Sequence, residues 1–407
     1  MTARRPAPAA AVLGLLLAVA AVVTLIPDGF GDYQPGGPVG AGNAANSILA
    51  LLDGDVDRFF SSQPLLGPVS LLLRAPFGGI AQLLGGGDVA VYRAGAFACL
   101  LGPVLLGWHL FRVVVGRGGP AWQGLVLALL CVANPLTVES VSIGHPEEAL
   151  AGALVVGAVL AVPRHAIGGG VLAGLAVATK QWALLAVPVA IVAAAGRRVA
   201  VTVAAGAAAA CLLVPMAVAD PDASQRAREE VLDVNTVNLL SVWYPVVPVE
   251  RLPGYAPGSP DHEVRRLPLG LSRAAVAPLI VAIAVALALL LWRRSGPGGP
   301  APEQAVALLA MLLILRCALD PWNLEYYAAA SLMAICAWEA LTRTGLPLIS
   351  LLYAAGAWTI FGPLLSIDGD AVVSLLYLTL TALFVGYMGL AAFAPARIDA
   401  GRVGSAA

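Results

Sequence analysis

The strongest constraint on this chain is its series of apolar runs of about twenty residues, such as 9–26, 199–219 and 271–292. Each matches the roughly 20 apolar residues that a helix needs to span a bilayer. A soluble domain carries roughly 25% charged residues; here the figure is 12%, with 59% hydrophobic. The chain therefore reads as a single all-α polytopic membrane domain over residues 1–407. A net charge of -1 gives no electrostatic footprint for a nucleic-acid partner. The five cysteines, Cys99, Cys131, Cys211, Cys317 and Cys336, all sit inside apolar runs. That is not the spacing of metal ligands or of a disulfide framework, and they read as small buried hydrophobes.

Arginine sets the orientation. Lys180 is the only lysine among 23 basic residues, a bias that, with abundant Ala and Gly, suggests a GC-rich bacterial genome. Cytoplasmic loops carry excess Arg and Lys. Arg4/Arg5, Arg112/Arg117, Arg164, Arg197/Arg198, Arg293/Arg294, Arg343 and Arg397/Arg402 mark candidate inner ends. Placing all of them inside predicts about twelve crossings with both termini cytoplasmic, and an uncleaved first helix rather than a signal peptide. Segment 27–91 then lies outside as a long first loop, with interfacial helices at 43–52 and 64–73. Segment 220–270 is a second outer loop, irregular, with one short helix at 223–232. The run 167–196 has cytoplasmic markers at both ends, so it must be two short helices meeting near Lys180 and Gln181.

With this topology the residues hardest to explain by packing gather on the outer face. They are Asp28 and Asp32; Glu139, His145, Glu147 and Glu148; Lys180 and Gln181; Asn235, Asn238, Trp243 and Tyr244; and Asp320, Trp322, Asn323 and Glu325. Charges near the bilayer are costly and usually mark function. Each also has a plainer reading. Asp32 could be a solvated loop acid, Glu147 and Glu148 ordinary partners of a helix dipole, and Lys180 a snorkelling side chain. Trp322, Tyr326 and Tyr327 would suit an aromatic belt. Asp53, Asp55 and Asp57 look like a metal-binding run, but Arg58 stands where a calcium loop wants glycine.

Five stretches together resemble one family. They are Asp32-Tyr33 early in the first outer loop, Gly144-His145-Pro146-Glu147-Glu148, the segment from Ala173 to Lys180, the polar loop 235–245, and Asp320-Pro321-Trp322-Asn323 followed by Tyr326-Tyr327. This layout is similar to the multi-pass GT-C glycosyltransferases, especially the glycosyltransferase 87 group of polyprenyl-phosphate-mannose-dependent mannosyltransferases. The resemblance implies transfer of a sugar, mannose, from a polyprenyl-phosphate donor to a lipid or glycan acceptor. The site would face outward from a bacterial plasma membrane. No Gly-rich nucleotide-sugar turn is visible, and the reading calls for no metal or other cofactor.

It also implies an inverting displacement with Asp32 as general base and Asp28 as its rival. Lys180 and His145 would stabilise the leaving phosphate. Tyr33, Glu147, Glu148, Gln181, Asn235, Asn238, Trp243, Trp322 and Asn323 are the further substrate-binding candidates. At 59–64 the residues depart from the family's usual Tyr- and Pro-rich pattern. Two other readings compete. A lipid or sugar transporter should carry polar residues near the midplane in repeated broken helices, and only 167–196 fits. A non-catalytic cell-envelope subunit would tolerate changes at Asp32.

Overall fold

A computed structural model describes residues 7–27, 30–35, 44–63, 67–232, 235–252, 262–268, 272–296, 298–366 and 370–395. Asp28 lies outside them. Helix α1 (Ala7–Leu25) leads into the first loop, which carries α2 (Ala45–Asp53), α3 (Val56–Ser61) and α4 (Pro68–Leu83). Then come α5 (Asp88–Gly116), α6 (Ala121–Val132), α7 (Pro135–Ile143), α8 (Glu147–Ala161) and α9 (Ala166–Val177). A short 3-10 turn, Gln181–Leu185, joins α9 to α10 (Ala186–Ala193), and α11 (Arg198–Ala219) follows. The second loop holds α12 (Pro221–Leu232) and strands β1 (Val249–Leu252) and β2 (His262–Arg265). The chain ends with α13 (Arg273–Arg294), α14 (Pro302–Leu319), α15 (Ala328–Thr342), α16 (Leu348–Phe361) and α17 (Asp370–Phe393).

Among the described residues, six helical spans are long and apolar enough to cross a membrane. They are Asp88–Gly116, Ala121–Ile143, Ala195–Ala219, Arg273–Arg294, Pro302–Leu319 and Asp370–Phe393. Ala9–Leu25, Ala166–Val177, Gln181–Ala193 and Leu348–Phe361 are apolar but shorter. Helices α14 and α15 are almost wholly apolar, apart from Arg316 and Glu339, and buried almost throughout, as expected for the centre of a bundle. Helix α11 buries only Val201, Ala205 and Met216, so its other faces look outward. It meets α9 along a stripe of small residues, where a Cβ on Gly170 would come 2.7 Å from the Val201 carbonyl oxygen. Small residues let helix backbones approach closely where there is no hydrophobic drive between helices.

The two ends of the bundle differ chemically. At one end the arginine-bearing loops meet. Arg197 donates to the carbonyls of Pro163 and Arg164, Arg198 lies over Trp292, and Gln123 donates to the Arg343 carbonyl. At the other end lie the Asp32 loop, the α7–α8 turn, the Lys180 break and the turn after α14.

Two expectations need correction. The first loop holds three helices rather than two, and α4 runs on to Leu83 through Pro76 because Arg74 turns inward instead of ending the helix. Asp55 is spent as the N-cap of α3, accepting from the Arg58 amide at 2.9 Å. The second loop is not irregular: β1 and β2 pair antiparallel, with Val249 opposite Arg265. Its β-branched valines, broken by prolines, hid that hairpin.

Candidate active site

The site is built where two glycine turns touch. Helix α7 ends at Gly144, which has φ 105° and returns its N–H to the last turn. Only glycine adopts such a conformation without strain. Gly31, with φ 22°, packs against this turn so closely that a Cβ there would come 2.6 Å from the Ile143 carbonyl oxygen. The Asp32 amide donates to that same carbonyl at 2.8 Å. The first loop is thereby pinned beside His145.

Here a chain of charges begins. His145 Nε2 lies 2.8 Å from Asp32 Oδ2, and Nδ1 lies 2.9 Å from Glu147 Oε1. Lys180 Nζ is 3.0 Å from Glu147 Oε1 and 3.2 Å from Glu148 Oε1. Arg74, reaching in from α4, lies 3.5 Å from Glu147 Oε2 with both side chains fully buried. Its guanidinium is 5.6 Å from the ring centroids of Tyr33 and Tyr92. Trp182 Nε1 donates to Glu148 Oε2 at 2.8 Å. Tyr326 closes the group, its ring centroid 5.3 Å from that of His145.

The cluster grades from buried to open. Glu147 is fully buried, the His145 side chain is 8% exposed, and the Asp32 side chain is 54% exposed. Asp32 Oδ1 has no hydrogen bond to any described residue. The hydrogen bond from His145 holds the Asp32 carboxyl below its usual range, against partial burial. Burial works against the His145 imidazolium. The charge of Glu147 and the hydrogen bonds to Asp32 and Glu147 outweigh it, and the His145 pKa is raised above 6.5. With a proton on each nitrogen the ring donates to both carboxylates. Asp32 is thus an ionised, half-exposed acceptor, which is what a base must be before it takes a proton.

The Lys180 break is fixed from outside its own helix. Where α9 stops, the carbonyls of Ala178 and Thr179 lose their helical partners. They accept instead from Val69 and Gly67 at 3.3 and 2.9 Å. Gly67 is obligatory there, since a Cβ would overlap the Ala178 carbonyl. Burial works against the Lys180 ammonium, but the charges of Glu147 and Glu148 push its pKa above 10.5. An ammonium has three donors, and two point at these carboxylates.

The remaining candidates divide. Tyr33 is buried beside Arg74 and Tyr92. Gln181 is exposed at the start of the 3-10 turn, and Trp322 is 39% exposed. The others serve to pin the second loop onto the turn after α14. Asn238 caps the Leu240 amide at 3.1 Å, and Trp243 Nε1 donates to the Leu319 carbonyl at 2.7 Å. Asn323 is fully buried and donates to the Leu240 carbonyl and the Tyr377 hydroxyl. Asn235 accepts from the Leu267 amide through its carbonyl. Asn238, Trp243 and Asn323 are thus tied into the fold, with Asn323 Oδ1 left without a hydrogen bond among the described residues. Both ring nitrogens of His145 face carboxylates.

Sequence reasoning missed Arg74, Trp182 and Arg316 as members of this end. A charged residue inside an apolar helix is itself a signal of function, and Arg316 in the 303–319 run carried it.

These features define a helical membrane protein with an exposed carboxylate backed by a buried ion cluster. Residues 44–196 match the family described as alpha-(1->6)-mannopyranosyltransferase, N-terminal domain. The similarity covers less than half of the chain, and it is to the N-terminal domain of a glycosyltransferase family. The matched stretch includes Arg74, His145, Glu147, Glu148 and Lys180, while Asp32 precedes it and Arg316 follows it. No curated protein matches the chain.

Proposed function

We propose that this protein moves a mannosyl group from a polyprenyl-phosphate donor to a lipid or glycan acceptor on the outer face of a bacterial plasma membrane. The fold would be of the GT-C kind, with about twelve crossings. The observation that carries the reading is Asp32: an exposed carboxylate, ionised by its bond to His145, with Oδ1 open to an incoming hydroxyl. The acceptor hydroxyl gives its proton to Asp32 Oδ1 as its oxygen attacks the anomeric carbon. The bond from that carbon to the phosphate oxygen breaks, inverting the centre, and the polyprenyl phosphate leaves with the electron pair.

Residues behind Asp32 prepare the step. Glu147 orients His145, and His145 holds the base ionised and in place. Lys180 has its third donor for the leaving phosphate and helps keep Glu147 charged. Trp322 and Gln181 are the exposed polar and aromatic groups nearest the turn after α14 and the Lys180 break, suited to a sugar face and its hydroxyls.

The test is transfer from radiolabelled polyprenyl-phosphate mannose in membranes holding wild type or Asp32→Asn at matched levels. Loss of a general base costs about 10²–10⁴-fold, so transfer should fall by that factor. Undiminished transfer by Asp32→Asn would remove Asp32 from the role and move attention to Asp28.

A further inference from the structure

Among the described residues, one buried arginine at this end has neither an ion pair nor a hydrogen bond, whereas Arg93 and Arg265, also without a carboxylate, donate to carbonyls. Arg273 pairs with Asp320 at 2.6 Å. Arg74, His145 and Lys180 share Asp32, Glu147 and Glu148. Arg316 stands outside both groups: among the described residues no carboxylate lies within ion-pair distance of it. It is only 4% exposed, and its buried Nη1 has no hydrogen-bond partner. Its guanidinium lies between two rings, 4.7 Å from the centroid of Trp182 and 4.0 Å from that of Tyr327.

Two aromatic faces do not balance such a charge. A cation–π contact returns less than the burial of an ion costs. A guanidinium with an open donor edge and no paired carboxylate fits a planar pair of phosphate oxygens. Its position agrees with that use. Trp182 joins Arg316 to Glu148, and Glu148 is joined to Lys180, so the open guanidinium edge and the third donor of Lys180 belong to one cluster.

We propose that Arg316 binds the phosphate of the ligand, with the Trp182 and Tyr327 rings holding its guanidinium flat. The inference rests on the phosphate-bearing donor proposed above, and it makes Arg316, rather than His145, the main phosphate ligand beside Lys180.

The test is binding by the full-length protein in detergent, read by Trp fluorescence, with three probes: a polyprenyl phosphate, the corresponding polyprenol and inorganic phosphate. A charged hydrogen-bonded contact corresponds to about ten- to a hundredfold in affinity. Wild type should prefer the lipid phosphate to the alcohol by that factor. Arg316→Gln should lose the preference and Arg316→Lys should keep part of it. A preference that survives in Arg316→Gln overturns the assignment and leaves the donor reading standing. Where Arg316→Gln does not fold, Arg316→Lys decides, and an unchanged preference overturns the assignment. Wild type with no preference overturns both. Inorganic phosphate binding as tightly as the lipid phosphate, and lost in Arg316→Gln, keeps Arg316 as a phosphate site but removes the lipid donor.

Discussion

Glu147 is the residue on which three cations converge, so Glu147→Gln is the most informative change in the cluster. The substitution keeps the shape and removes the charge. Lys180 still has Glu148 at 3.2 Å, and His145 still has Asp32 at 2.8 Å. Arg74 retains only the faces of Tyr33 and Tyr92 at 5.6 Å. Leaving one buried charge unpaired costs about 3–5 kcal/mol, and the two ring contacts, already present in the wild type, do not offset it. The expected loss of stability is therefore about 3–5 kcal/mol. Unfolding of the detergent-solubilised protein with increasing SDS, followed by Trp fluorescence, measures it. Arg74→Met removes the stranded cation, so the double variant Arg74→Met/Glu147→Gln should lose less than the sum of the two single changes. The shortfall should be about 1–3 kcal/mol, as for contacting residues. Additive losses, or a Glu147→Gln protein within about 0.5 kcal/mol of wild type, would refute a charged Arg74–Glu147 pair.

The other predictions concern pH and the loop contact. The His145 pKa is raised, so the stability it contributes is fully present below 6.5 and lost as pH rises through its raised value. The Asp32 pKa is lowered, so its contribution is present above 3.8 and lost as pH falls through its lowered value. Because Asp32 is half-exposed, solvent screens its part, and the alkaline fall should be the larger. Melting midpoints across this range should lose that alkaline fall in His145→Gln; a fall that persists in the variant would assign it to another group. Gly67→Ala should disturb the Lys180 break and cut transfer at least tenfold. Gly206→Ala, where the added methyl meets nothing within 4 Å, should leave transfer unchanged. Equal activity of the two variants would show that the Gly67 contact does not support the site.

Composition and charge spacing carried much of the architecture, because they are local properties. Apolar runs announce helices of spanning length, and arginine at both ends of 167–196 forced the break at Lys180. The glycines of the Gly31 and Gly144 turns stand in the sequence beside the acid and the histidine that they bring together. Tertiary structure alone decided which charges meet. Asp32 and His145 are 113 residues apart, and no periodicity couples them. Arg74 could as well have snorkelled outward, and only its packing between Tyr33 and Tyr92 turns it toward Glu147. Asn323 reads in the sequence as a sugar-binding amide, yet it is fully buried and bonded to Leu240 and Tyr377. The sequence thus determined a polytopic membrane chain with an acid-rich end. Packing of distant helices decided which of its polar groups are paired, which are structural, and that, among the described residues, buried Arg316 has no ion-pair partner. A buried charge must find its counter-ion in space, and spacing along the chain does not contain that information.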